Sequence, residues 1–202
     1  YDRFDRQVHL TVRDQEWKRI VVGQDEGYTN PATLVVVGED SDGRLHCLDE
    51  WYKSNMLEAE VIAAAQEFHK KYNPEAFLVD PSAAKLRAAM HAANLPVRAA
   101  DNEVFPGIQK VQQRLGQAGD GLPRLTIGPT CENLLREFET YEWLSGSSGY
   151  KDVPKKENDH ALDALRYAVT YFDGTSIEPK IRVAGTPETT NAFDDERMWR
   201  SF

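Results

Sequence analysis

Cysteine, membrane-length apolar runs and positive charge are all scarce in this 202-residue chain. Its two cysteines, Cys47 and Cys131, have no metal-ligand spacing, so reduced thiols of a cytosolic protein are expected. No segment has the length or apolarity of a membrane span, and no signal peptide is visible. No internal repeat is visible either. Lysine and arginine number 24 against 33 aspartates and glutamates, a formal charge of -9. That balance weighs against a dedicated, unassisted nucleic-acid binder, which is usually basic. It is no veto, because bound metal offsets the charge of an acidic site and another domain can supply affinity. The first residue is Tyr1 rather than Met, so an excised piece of a longer protein is expected.

What is present is enough apolar material, 41% hydrophobic and 10% aromatic, for the core of one sizeable domain. Residues 1–18 are polar and mixed, with Trp17 the main apolar anchor, and read as a terminal segment or linker remnant. The β-branched run 19–23 predicts a strand ending near Asp25. Turn chemistry at Gly27-Tyr28-Thr29-Asn30-Pro31 leads to a second strand over 32–37. Asp40-Ser41-Asp42-Gly43 is a hairpin turn into a third over 44–52. Helical periodicity covers 57–72 and stops at Asn73-Pro74. The wholly apolar stretch 76–79 predicts a buried central strand. Ser82, after Asp80-Pro81, is placed to cap a helix over 83–93. A strand over 97–100, a helix over 108–115, a short strand or extended segment at 125–127 and a helix over 132–143 follow. Residues 145–156 form a Gly/Ser/Lys-rich loop, and 159–172 the last strong helix. Periodicity fades from Asp173, so 173–202 reads as a tail whose Trp199 and Phe202 can dock. An antiparallel three-stranded meander followed by βαβ units predicts an α/β fold over 19–172. Its mixed sheet, antiparallel and then parallel and flanked by helices, is ribonuclease-H-like in element order.

Three acidic motifs stand out against this frame: Gly23-Gln24-Asp25-Glu26-Gly27, Leu78-Val79-Asp80-Pro81-Ser82 and Asn158-Asp159-His160-Ala161-Leu162-Asp163. The first two put an aspartate at the exit of a predicted strand, and the first and fourth strands are parallel neighbours in the expected order. Their ends would set Asp25 and Asp80 side by side, where α/β proteins place ligands. Asp163 and His160, three residues apart on the last helix, share one face. Carboxylates gathered this closely resist joint ionisation, and the usual reason for gathering them is a divalent cation. Two magnesium or manganese ions would make a phosphodiester-cleaving site. His160 could ligate manganese or position a water or phosphate. Each residue also has a plainer reading. Asp25 or Asp80 alone suits a turn, Asp159 an N-cap, and His160 a surface position in the first helical turn. Glu58 and Glu60 suit a solvated helix face rather than a fourth ligand. Lys151, Lys155 and Lys156 could contact phosphates or simply face solvent.

Several longer strings resemble the nuclease domain of the large terminase subunit of tailed bacteriophages. They are Asp25-Glu26-Gly27-Tyr28-Thr29-Asn30-Pro31, Leu48-Asp49-Glu50-Trp51-Tyr52, Val79-Asp80-Pro81-Ser82-Ala83-Ala84, and Asn158 through Tyr167. The resemblance covers roughly 19–172, with the motifs in the family's order. It implies that Asp25, Asp80 and Asp163 form a metal-binding catalytic triad with His160 as accessory. Duplex DNA would be cut with little sequence preference. The family often has proline where this chain has Glu26, so Glu26 and Asp159 remain open as further ligands. The family also carries an N-terminal ATPase motor, and works with a portal and a small terminase subunit in the host bacterial cytoplasm. No Gly-x-x-x-x-Gly-Lys-Ser/Thr phosphate loop occurs here, so this chain alone is not expected to translocate DNA. The loop 145–156 matches the family's hairpin or loop beside the active site and is expected to gate DNA access. The alternatives are another ribonuclease-H-like nuclease, such as a junction resolvase or transposase core, and a non-catalytic module docking a motor on a portal.

Overall fold

The computed structural model describes residues 1–12, 15–146, 149–154 and 158–175. After a short helix α1 (Arg6–His9) come β1 (Arg19–Asp25), β2 (Ala32–Glu39) and β3 (Leu45–Lys53). Then follow α2 (Glu58–Tyr72), β4 (Ala76–Val79), α3 (Ala84–Ala92), β5 (Val97–Ala99), α4 (Val104–Arg114), β6 (Leu125–Ile127) and α5 (Glu132–Thr140). The ribbon β7 (Trp143–Gly146) and β8 (Gly149–Pro154) precedes α6 (His160–Thr175). Strands β1 to β6 form one sheet in the order β5-β4-β1-β2-β3-β6. β1, β2 and β3 pair antiparallel, while β1 with β4, β4 with β5 and β3 with β6 pair parallel. This is the expected mixed sheet, and β1 and β4 are the expected parallel neighbours within it.

Helices cover both faces, which is why β2 and β4 are buried along their whole length. Val22, Leu34, Val36 and Phe77 pack with Val61, Leu86 and Met90 of α2 and α3. Val21, Val35, Val37 and Leu78 pack with Val111, Leu134, Phe138 and Leu165 of α4, α5 and α6. β3 changes phase midway, because the register passes from Val37 opposite Cys47 to Val36 opposite Asp49. The extra residue, Leu48, is a bulge. Leu45 and Cys47 therefore join the α5 side, Leu48 and Trp51 the α2 side, and Tyr52 the α5 side again. α2 ends as expected, on Asn73 in the left-handed conformation at φ 46° before Pro74.

The structure differs from the sequence reading in several local ways, and α4 begins at Val104 rather than at 108. Ser82 does not cap α3, whose N-cap is Ala83 without a side-chain bond, because the Ser82 hydroxyl turns with its N–H to the Asp80 carboxylate. Residues 145–156 are not all loop. Pairing of β7 with β8 joins Gly146 to Gly149 across a two-residue connection, a hairpin spacing that the Gly/Ser content concealed. Trp143 consequently belongs to β7, and α5 ends at Thr140. The polar start of the chain has apolar anchors besides Trp17: the rings of Tyr1 and Phe4 lie 5.1 and 4.7 Å from that of Phe138. Lys155, Lys156, Trp199 and Phe202 lie outside the described residues, and Lys151 falls on β8.

Candidate active site

Asp25 and Asp80 occupy equivalent places on adjacent parallel strands. Gly23 lies opposite Leu78 and Gln24 opposite Val79, and the next residue on each strand is the aspartate. Here the strand connections diverge, with β1 passing antiparallel into β2 and β4 into a parallel crossover, the switch point at which α/β sheets place a ligand crevice. α6 roofs it, and Gly23 explains how the helix comes so near. A Cβ at position 23 would stand 1.8 Å from the carbonyl oxygen of Ala164 and 2.6 Å from its carbon. Only glycine admits a helix backbone at that distance. Thr33, paired with Asp25 across β1 and β2, donates its hydroxyl to the His160 carbonyl at 3.0 Å. Together these contacts set the first turn of α6 over the end of β1.

Each candidate carboxylate then meets a partner from α6. His160 Nδ1 lies 2.9 Å from Asp25 Oδ2. The Tyr167 hydroxyl donates to Asp80 Oδ2 at 2.8 Å, and the Ser82 N–H to Asp80 Oδ1 at 2.7 Å. Arg166 donates to Asp163 Oδ1 through Nη2 at 2.9 Å and Nε at 3.2 Å, and through Nη1 to the Glu103 carbonyl at 3.1 Å. This guanidinium is only 2% exposed, and its stem presses on Gly107 of α4, where a Cβ would come within 2.4 Å of Arg166 Cγ. A cation so enclosed is sustained by the charge of Asp163.

The electrostatics separate the carboxylates. Burial pushes Asp25 up to about 6, with repulsion from Asp163 and Asp80 adding to it and the His160 hydrogen bond opposing. That mutual repulsion is the signature of carboxylates within electrostatic reach of one another. Burial acts the same way on Asp80, but hydrogen bonds from Ser82, Tyr167 and Asn102 outweigh it and hold this carboxyl below its ordinary value. The hydrogen bond to Asp25 raises His160, against burial. Burial and then the charge of Asp25 raise Tyr167, so its hydroxyl stays protonated as a donor to Asp80.

Of the remaining candidates, Asp159 immediately precedes α6, is buried, and accepts the Asp163 N–H on its carbonyl at 2.8 Å. Glu26 is exposed beside the site. Glu58 and Glu60 are exposed on α2, and Glu60 accepts the Leu57 N–H at 2.8 Å as a helix cap. Among the described residues, no three His, Cys, Asp or Glu side chains already stand at chelating distance. Asp25, Asp80 and Asp163 are turned instead to His160, Tyr167 and Arg166.

Sequence reasoning passes over Arg166, Tyr167 and Glu137. The first two are visible as residues three and four positions after Asp163, the helical spacing of direct neighbours. Glu137 gives no such signal. It is 0% exposed on α5, accepts the Leu162 N–H at 2.9 Å, and is pushed up to about 7 by burial. Because this folded-state value lies above the ordinary 4.5, Glu137 costs no stability below about pH 4.5. It withdraws stability as pH rises from there through about 7. Glu137→Gln is therefore expected to flatten the pH dependence of the melting temperature of metal-free protein across that window. Melting curves from pH 4 to 8 check it, and parallel profiles for the two proteins would refute it.

No protein-family model matches the chain, and no curated protein matches it. Solved structures do. The large terminase of a thermophilic bacteriophage is similar at 27% identity and a TM-score of 0.74, over 84% of this chain and 44% of that one. The chain thus spans less than half the length of that relative. The P22 large terminase nuclease domain is similar at 19% identity and a TM-score of 0.66, over 85% of this chain and 90% of that one. The nuclease domain of the bacteriophage SPP1 large terminase, solved with bound Mn, is similar at 21% identity and a TM-score of 0.61, over 81% of this chain and 96% of that one. The described residues thus have the ribonuclease-H-like fold of large-terminase nuclease domains, the family that the sequence motifs resemble.

Proposed function

We propose that this chain is a metal-dependent endonuclease domain of a phage large terminase, hydrolysing phosphodiester bonds of duplex DNA with little sequence preference. The observation that supports this reading is that Asp25 and Asp80 end adjacent parallel strands while α6 lays His160 against Asp25 and Tyr167 against Asp80, with Asp163 near enough to repel Asp25. Hard carboxylate oxygens suit magnesium or manganese, and the imidazole suits manganese as a softer donor. The SPP1 neighbour was solved with bound Mn. Asp25 is raised mainly by burial and further by repulsion from Asp163 and Asp80, a repulsion that a divalent cation would relieve.

Asp25, Asp80 and Asp163 would hold two such ions, with His160 as accessory and Asp159 and Glu26 as further oxygen donors. When bound, the ions would supply an activated water and neutralise the leaving 3′ oxygen. The protein's own part is orientation. Tyr167 and Ser82 fix the Asp80 carboxylate, Arg166 fixes that of Asp163, and His160 fixes that of Asp25. Lys151, Lys155 and Lys156 are proposed phosphate contacts. The ribbon of β7 and β8, immediately before α6 in the chain, is proposed to gate entry of the duplex. An ATPase domain in the full-length protein, a portal, a small terminase subunit and the host bacterial cytoplasm complete the proposed setting. Among the described residues no helix is long and apolar enough to cross a membrane.

A plasmid assay tests the reading. Supercoiled DNA is expected to be nicked and then linearised in magnesium or manganese and left intact in EDTA. Intact plasmid in both metals, or equal cutting in EDTA, would overturn it. Preference for four-way junctions over linear duplex would move the assignment to a resolvase.

A further inference from the structure

The string Leu48-Asp49-Glu50-Trp51-Tyr52 contains no proposed metal ligand, yet its acidic residues are fully engaged. After the bulge at Leu48, Asp49 turns to the α2 side, where Lys71 Nζ and the Tyr72 hydroxyl donate to it at 2.8 and 2.6 Å. Glu50 turns to the opposite side and meets the beginning of α5. Its Oε1 accepts the Asn133 N–H at 2.7 Å, and its Oε2 accepts the Leu134 N–H at 3.0 Å. These are the second and third residues of α5, whose own N-cap, Cys131, makes no side-chain capping bond. A strand carboxylate thus satisfies amides that a helix start leaves without partners.

The same device recurs one helix later. Glu137 sits on α5, and its Oε2 accepts the N–H of Leu162, the third residue of α6. The first turn of α6 carries both His160 and Asp163. We propose that Glu50 and Glu137 are positioning residues acting in series: Glu50 anchors α5 to β3, and Glu137, carried by α5, anchors the turn that presents His160 and Asp163. The chain of contacts is continuous from the sheet to the crevice, and neither glutamate has to touch substrate. The consequence for metal binding rests on the nuclease reading. The series coupling does not.

Amide exchange in metal-free protein and manganese titration separate the two claims. Glu137→Leu is expected to lose protection at the Leu162 amide while the Leu134 amide stays protected. Glu50→Leu is expected to lose protection at both. Should Glu50→Leu fail to fold, Glu50→Asp, which withdraws the carboxylate by one methylene, replaces it with the same expectation. Glu137→Gln keeps an acceptor oxygen and is expected to retain protection. Manganese affinity is expected to fall about 10–100-fold in the leucine variants, the usual effect of losing a partner that orients a metal ligand, and to be retained in Glu137→Gln. Unchanged Leu162 protection in a folded Glu50 variant would overturn the series arrangement. Unchanged manganese affinity in a folded Glu137→Leu would overturn the positioning role. If the wild-type chain binds no manganese, the nuclease reading fails, and the exchange pattern still decides the coupling.

Discussion

Asp80→Ala is expected to abolish metal-dependent nicking of plasmid DNA, with loss on the order of 10³-fold, because several kcal/mol of charge stabilisation go with the carboxylate. Asp80 is held in its ionised form. Its two oxygens take separate donors, Ser82 and Tyr167, and its carboxyl is kept below the ordinary range. It is thus a ready anionic ligand at neutral pH. The substitution also removes the acceptor for the Ser82 N–H, so local stability is expected to fall by about 1 kcal/mol. Asp80→Asn separates the effects, since an amide oxygen still accepts from Ser82 but carries no charge. Nicking rates in manganese, alongside thermal melts, measure both. Full cleavage by a folded Asp80→Ala would remove this residue from the proposed site, and rapid cleavage by Asp80→Asn would show that charge is not what it contributes.

Gly23→Ala is expected to be the most damaging alanine substitution among the described glycines. The new Cβ would fall 1.8 Å from the Ala164 carbonyl oxygen, and the obstacle is helix backbone rather than a side chain that can swing away. Either α6 lifts from β1 or the strand bends, and both disturb a core that includes Leu162, Leu165 and Val169. Overpacking of this kind costs about 3 kcal/mol or more. For a domain of this size that lowers the melting temperature by roughly 6–12 °C. Cleavage measured well below the new melting point is expected to fall as well, since displacing Ala164 displaces Asp163 beside it. A wild-type melting temperature would show that the contact between α6 and β1 is looser than the geometry requires.

The parts of the site legible in the sequence are those set by local chemistry. Asp25 and Asp80 can be placed at strand ends because β-branched runs and flanking turn residues mark where strands stop. His160 and Asp163 can be put on one helical face because their spacing is a helical one. The illegible parts depend on which segments meet. Ser82 reads as a helix cap because nothing local shows Asp80 competing for it. Glu50 and Glu137 carry no local mark of the contacts they make. Nothing near Glu137 in sequence signals that its partner is an amide 25 residues away. The bulge at Leu48, which decides the face to which Glu50 points, is a property of pairing between β2 and β3 and has no signature in the strand itself.

Most of the order of strands and helices, the mixed sheet that this order requires, and the four residues proposed for the site can be read along the chain. Periodicity and turn residues act over a few positions, so residue order carries them directly. Arg166 meets Asp163 within one helix, but what the other carboxylates touch is a matter of tertiary packing: His160 for Asp25, Tyr167 for Asp80, and helix amides for Glu50 and Glu137. Those pairings follow from the close approach of α6 to β1 that Gly23 permits and from the bulge at Leu48. They arise only when the helices pack down on the sheet, because burial and charge act through space rather than along the chain.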